Sequence, residues 1–395
     1  MWAKDKLIKQ AIDIASVALF LCLFGIFTFL ISGYSNYNLA HSKTNPSDFL
    51  MYMTGATILK EGNIKNLYKV ATQEVTQEKL AKPNELASGL LAFRTPPITA
   101  LVYLPLTYLK PLTAFYISVG VNFVLLCTII FLLIRFFTIP TKYLLPSIAI
   151  SMFFLPVFIN TGMGQISLLI TLIMVTSMAL ANRKSFLSGF LLALLFLKPQ
   201  FIVFIPILYF WQTDSVKRQK FLMGIVFGTI VFWLINVGLY GPKLLSDYPK
   251  FVIKSESISY GTSPEQNYNL VSIFWRITNN ARISNTIADL VSLTMYVLTI
   301  IWYQKKARNF DYLAGIFMLL PLINVHTMLP DLVVYLIPMG LMLKHFLEKR
   351  IKLLQFLVFF ILCWILPWLG LYKLQYIAVV GLAAVAGALV FKYGF

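Results

Sequence analysis

A chain of 395 residues that is 59% hydrophobic and only 12% charged, with a mean hydropathy of +0.78, has lipid as its solvent, since soluble domains are about a quarter charged. Cys22, Cys127 and Cys363 all sit inside apolar runs, and His41, His326 and His345 lie far apart. This excludes a disulfide framework and gives no ligand spacing for a metal or a Ser-His-Asp site. The net charge of +18 is scattered over loops rather than gathered on one face, which argues against nucleic acid as a partner.

In chain order, the first apolar run, residues 12–32, is too long for the core of a signal peptide and has no small-residue cleavage site after it. It reads as a retained span. Lys4, Lys6 and Lys9 before it place the N-terminus in the cytoplasm by the excess of positive charge on that side. A long first extracytoplasmic loop follows, residues 34–111, with short interfacial helices, among them an amphipathic segment at 49–60. A span at 112–134 returns to Arg135 and Lys142, and 143–160 and 165–182 form a hairpin back to Arg183 and Lys184. Two short helices then turn at Lys198-Pro199-Gln200, since only about thirty residues separate Lys184 from the next basic loop, Lys217, Arg218 and Lys220. A span at 221–240 leads to a polar second outer loop, 241–283. Spans at 284–304, 311–325 and 329–343 follow, then two more.

This path predicts an all-α, polytopic protein of about 11–12 membrane helices forming one domain over 1–395. It puts 18 of the 33 basic residues on the cytoplasmic side, eight in the first loop and seven in all the other outer loops. That bias supports the orientation. It also gathers Asp48, Arg94, Gln165, Lys198, Gln200, Asn267, Asn269, His326 and Asp331 at the outer membrane surface. Ionisable groups near spans are costly and mark functional sites.

Each of these residues also has a plain reading. Asp48 follows Asn45-Pro46-Ser47 and opens a short segment, so it is either a helix cap or a general base for an acceptor hydroxyl. Arg94 precedes the proline-rich run 96–111 and is either a headgroup anchor or a phosphate contact. Gln165 ends the turn Asn160-Thr161-Gly162-Met163-Gly164 and suits a sugar hydroxyl. Lys198 either snorkels to the headgroups or clamps a phosphate leaving group. His326 and Asp331 share one turn between two spans. No metal cluster or cofactor motif is present in the sequence, although a cation between Asp48 and Asp331 stays open.

Taken together, Asp48 soon after the first span, Asn66-Leu67-Tyr68, Pro96-Pro97 with Leu104-Pro105-Leu106, Gly164-Gln165, Lys198-Pro199 and the His326/Asp331 turn resemble glycosyltransferase family 87. That family belongs to the GT-C superfamily of multi-span enzymes. The resemblance covers about residues 45–340. It implies an inverting transfer of a sugar, mannose first, from a polyprenyl-phosphate donor to a glycolipid or glycan hydroxyl at the outer face of the cell membrane. In that scheme Asp48 is the base and His326 lies at the active site. Lys198, Arg94 and His326 would meet the donor phosphate, and Gln165, Gln200, Asn267, Asn269 and Asp331 the sugar or acceptor. The absence of a glycine-rich phosphate loop fits a lipid-borne rather than a nucleotide donor. The rival readings are a multi-span transporter or flippase of lipid-linked sugars, and a polysaccharide polymerase or ligase.

Overall fold

A computed structural model describes residues 16–33, 48–82, 89–211, 214–257, 263–306 and 310–394. The N-terminal lysines used to orient the chain, His41 and Asn45-Pro46-Ser47 lie outside the described residues. Among those described there is no β-strand, and the chain is an all-α polytopic membrane protein.

The first helix, α1 (Ser16–Gly33), is a membrane-length apolar helix that buries little of itself against the rest. Two short helices follow, α2 (Asp48–Lys60) and α3 (Val70–Ala81), and then an extended stretch runs into α4 (Thr99–Tyr103). Next come α5 (Pro111–Phe136), α6 (Leu144–Met152), α7 (Leu155–Gly162) and α8 (Ser167–Leu180). The chain then makes α9 (Ser185–Leu192), which tightens into a 3₁₀ turn at Ala193–Leu197, breaks at Lys198, and resumes through Pro199–Val203 into α10 (Phe204–Trp211). The remaining helices are α11 (Ser215–Tyr240), α12 (Pro242–Ser257), α13 (Leu270–Thr278), α14 (Ala281–Lys306), α15 (Phe310–Leu322), α16 (Leu336–Leu347), α17 (Leu353–Ile365) and α18 (Gln375–Gly394).

Among the described residues six helices are long and apolar enough to cross a bilayer, and α6 with α7 form a further pair bent by 65°. Five shorter apolar helices, including α8, α15 and the two halves around Lys198, complete the set. The long helices α1, α11, α14 and α17 stand outside, their apolar side chains exposed where lipid would lie. The stretch Leu329–Leu347, by contrast, is mostly buried, and with α8 and α15 it forms the centre. Helices α9 and α11 cross backbone to backbone. A side chain at Gly189 or Gly224 would strike the carbonyl of Phe221 or Phe186, the close approach that small residues permit between membrane helices.

The breaks follow the prolines. Pro156, Pro199 and Pro330 each sit in the first turn of a new helix, where the missing N–H costs nothing and the fixed φ suits a restart. Non-helical backbone at membrane depth must be covered by protein or line a cavity. These breaks do so, and the polar residues cluster there.

Two expectations change. Segment 241–283 is not a simple polar loop, since it carries α12 and α13. Helix α12 lays Leu244, Phe251 and Ser255 inward and Lys243, Lys250 and Lys254 outward. Helix α2 is not an amphipathic surface helix: Phe49 through Ala56 are all buried. It has apolar or small residues at nearly every position and no polar stripe before Lys60, so protein surrounds it.

Candidate active site

One cavity of about 810 Å³ gathers residues from eight separate parts of the chain. Asp48, Arg94, Gln165, Lys198, Gln200, His326 and Asp331 all line it.

Asp48 is the first residue of α2, and its position is set by the backbone. The N–H of Phe49 donates to the carbonyl of Met163 at 2.7 Å, which pins the start of α2 to the turn after α7. That turn requires Gly164. Its φ is +65°, and a Cβ there would stand 2.7 Å from the Cβ of Phe49. Tyr103 donates to the Gly164 carbonyl at 2.7 Å and stacks on Tyr52 with ring centres 4.5 Å apart. Asn160 completes the turn, accepting at its Oδ1 from the Ser167 N–H and donating to Asn122 on α5.

A hydrogen-bond chain runs from this turn across the cavity floor. Gln165 Nε2 donates to Asp48 Oδ2 at 2.5 Å. Gln165 Oε1 accepts from Tyr52 Oη and from Lys198 Nζ, each at 3.1 Å. Because both partners of Oε1 are donors, the amide cannot be reversed, and its N–H must face Asp48. Lys198 Nζ donates further to Ser167 Oγ at 2.6 Å and pairs with Asp331 Oδ1. An ammonium has three donors, so Gln165, Ser167 and Asp331 engage all of them. Asp331 in turn accepts from Ser167 Oγ at 2.9 Å and, at Oδ2, from the Met328 N–H at 3.0 Å.

Lys198 is thus buried with its three donors engaged by protein, and Asp331 is its counter-ion. Among the described residues no group of three or more His, Cys, Asp and Glu is placed to hold a metal.

The electrostatics of Asp48 follow from this enclosure. Burial pushes its carboxyl above the ordinary carboxylate value, and the Gln165 hydrogen bond and the positive charges of Lys198 and Arg94 pull the other way. Asp331 reinforces the rise. The result is a carboxylate shifted toward the pKa of a useful base.

Arg94 reaches the cavity on an extended strand that α3 holds. Gln77 exchanges both amide hydrogen bonds with the backbone of Leu91, at 2.9 Å each. Gln73 accepts from the Phe93 N–H at 2.8 Å and reaches back to its carbonyl at 3.4 Å. Residues four apart on a helix thus meet residues two apart on an extended chain, as neighbouring strands would. Tyr68 of the Asn66-Leu67-Tyr68 motif donates to the Thr95 carbonyl at 2.7 Å and fixes the other side. Gln200 lines the cavity, and its carbonyl accepts from Asn324 Nδ2.

Two expected residues lie elsewhere. Asn269 is fully buried, caps α13 by accepting from the Val271 N–H, and donates to the Asn324 carbonyl, so it supports the loop that bears His326. Asn267 is also buried and does not line the cavity. Conversely, Ser167, Tyr52, Tyr103, Gln73 and Gln77 carry no motif that sequence reading could single out. Asp289 does carry one, as a lone carboxylate inside the span 281–304, and it lines the cavity.

No curated protein and no solved structure matches this chain. A family model, glycosyltransferase family 87, matches residues 93–330, more than half the chain. The matched stretch contains Arg94, Gln165, Lys198 and His326. Asp48 precedes it and Asp331 immediately follows, so their places in the site come from the hydrogen bonds described above. A polar-floored cavity at the broken ends of membrane helices and a family match across most of its lining lead to one conclusion: this chain belongs to glycosyltransferase family 87.

Proposed function

We propose that the chain transfers a sugar, mannose being the first to test, from a polyprenyl-phosphate donor to a hydroxyl of a glycolipid or glycan acceptor, with inversion at the anomeric carbon. The observation that carries this reading is the Asp48 carboxylate at the cavity wall, held by a glutamine that can face it only with its N–H. Oδ2 accepts that hydrogen bond, and among the described residues the other oxygen is left for the acceptor.

The chemistry proceeds as a single displacement. Asp48 takes the proton of the acceptor hydroxyl as its oxygen attacks the anomeric carbon. The bond from that carbon to the phosphate oxygen breaks on the opposite side, and the lipid phosphate leaves with the electron pair. Arg94 and His326, both on the cavity wall, stabilise the charge that develops on that phosphate. Lys198 acts one step back: paired with Asp331, it props Gln165, which aims Asp48. The apolar lining by Val203, Leu320, Ile323 and Met328 suits an isoprenoid tail.

The sidedness of the basic residues supports an extracytoplasmic site in the cell membrane. Helix α8 starts beside the cavity at Ser167 and runs to Arg183 and Lys184, and α16 leads away from Asp331 to Lys344 and Arg350. Helix α9 starts beside Arg183 and Lys184, and the 3₁₀ turn that continues it leads to Lys198. The site therefore lies at the helix ends opposite the clustered positive charge, which marks the cytoplasmic side. Nucleotide sugars are confined to the cytoplasm, so a lipid-borne donor fits this face. Membership of a glycosyltransferase family weighs against the transporter and flippase readings.

The test uses purified protein in nanodiscs with membrane lipid extract as acceptor and radiolabelled mannose on either polyprenyl phosphate or a nucleotide. Label should move from the lipid donor alone. Transfer from the nucleotide sugar and none from the lipid donor would overturn the reading.

A further inference from the structure

The cavity also has a wall that the catalytic cluster does not use. Asp289, Ser292, Leu293 and Tyr296 line it. Their spacing of i, i+3, i+4 and i+7 makes one stripe of α14. Asp289 lies eight residues into that helix, ~12 Å from its N-terminal end at 1.5 Å per residue, within the span Ala281–Gln304. An aspartate is too short to snorkel from such a depth, and a carboxylate facing lipid alone is costly; Asp289 lines the cavity and is at the same time exposed, so it stands at the cavity's mouth. Ser292 is 4% exposed beside it, and Tyr296 is fixed by donating to the Val203 carbonyl at 3.0 Å. Leu293 lines the cavity and is yet 61% exposed, so the cavity opens sideways along α14 toward the bilayer.

The chemistry of this wall selects its ligand. An ionised carboxylate only accepts hydrogen bonds and repels phosphate. It complements hydroxyls, which donate. The wall that carries the Arg94 guanidinium and His326 suits the opposite partner. We propose that the α14 stripe is the acceptor subsite, in which Asp289 takes hydrogen bonds from the hydroxyls of a sugar or polyol headgroup that enters through the lateral opening. That it serves as the acceptor's place rests on the glycosyltransferase reading, whereas hydroxyl binding at Asp289 does not.

Binding tests the idea without turnover. The full-length protein in phosphatidylcholine nanodiscs is titrated with octyl mannoside, octyl glucoside, methyl mannoside and farnesyl phosphate. In Asp289→Ala the octyl glycosides should bind about tenfold more weakly or worse, as expected when a charge-assisted hydrogen bond is lost. Farnesyl phosphate should bind within twofold of wild type, which also reports that the cavity is intact. Asp289→Asn, of the same shape, should lie between the two. A headgroup carried on lipid predicts tighter binding of octyl than of methyl mannoside, whereas equal binding would point to a soluble glycan and overturn lateral entry. The subsite is refuted if wild type binds neither octyl glycoside, if Asp289→Ala binds them as wild type does, or if it loses farnesyl phosphate in equal measure. Should the protein bind glycosides through Asp289 and yet transfer no sugar from a prenyl-phosphate donor, the catalytic reading fails and the subsite stands.

Discussion

Replacing Lys198 with methionine tests the buried network at its hub. The Lys198 side chain is 8% exposed and that of Asp331 2%, so neither charge has water to fall back on. Without the ammonium, Asp331 keeps only Ser167 Oγ and the Met328 N–H as described donors, and removing one partner of a buried pair costs about 3–5 kcal/mol. That is a large share of the 5–15 kcal/mol that holds a typical fold together. Removing both charges is different, because apolar replacement of a whole buried pair is often neutral or stabilising by about 1–4 kcal/mol. Lys198→Met/Asp331→Leu should therefore recover most of the stability lost in Lys198→Met. It should not recover activity, because Gln165 Oε1 still lacks the lysine that helps fix its amide toward Asp48. Equilibrium unfolding in mixed micelles, followed by circular dichroism, gives the stabilities, and sugar transfer gives the activities. A single variant within about 1 kcal/mol of wild type, well below the expected cost, would refute the reasoning, as would a double variant less stable than the single.

Other outcomes follow from neighbouring residues. Because burial raises the Asp48 pKa, the acid limb of the pH–rate profile should lie above the ordinary 3.8, with activity rising as the base ionises. Arg94→Gln removes a charge that lowers this pKa, so the limb should move to still higher pH; a downward move would contradict the assignment. The same shift fixes a sign for stability. A carboxyl whose folded pKa is raised favours folding fully below its ordinary value and loses that contribution as pH rises through the folded value. Asp48→Asn should accordingly be no less stable than wild type at neutral pH, as read by thermal unfolding. Gly164→Ala combines a φ of +65° with a 2.7 Å approach to Phe49. It should lose at least about 1–3 kcal/mol together with most activity, and a wild-type melting temperature would contradict this. Gln77→Leu frees both backbone groups of Leu91 and should weaken farnesyl phosphate binding through the displaced Arg94, with little effect expected on glycoside binding at α14.

Much of the fold was legible in the sequence because hydropathy and proline act locally. The apolar runs, the hairpin before Arg183 and the paired short helices meeting at Lys198-Pro199 all follow from residues close in the chain, although the 65° bend inside the hairpin's first arm was not expected. The convergence of Asp48, Gln165, Lys198 and His326 was legible too, through the sorting of basic loops. What escaped was decided by packing. Gln73 and Gln77 look like ordinary polar helix residues until the extended segment they hold is placed beside them. The run from Phe49 to Ala56 is apolar or small nearly all round, which suits lipid as well as protein, and only the packing shows that protein encloses α2. Asn269 offers the same amide as Gln165, and only the fold assigns one to a helix cap and the other to the cavity. Nor can a sequence show that Gln165, Ser167 and Asp331 take up the three donors of Lys198. Asp289 was visible as an acid inside a span, but its meaning needed the cavity wall.

If Asp48 accepts the proton in sugar transfer from a prenyl-phosphate donor, its replacement by asparagine should stop turnover and spare binding. Transfer of radiolabelled mannose from polyprenyl phosphate to membrane lipid extract is measured for wild type and Asp48→Asn side by side, with farnesyl phosphate binding as the control for an intact cavity. Wild type should transfer label, and Asp48→Asn should bind farnesyl phosphate normally and transfer none above background. Turnover by Asp48→Asn at the wild-type rate would remove Asp48 from the mechanism and contradict the account.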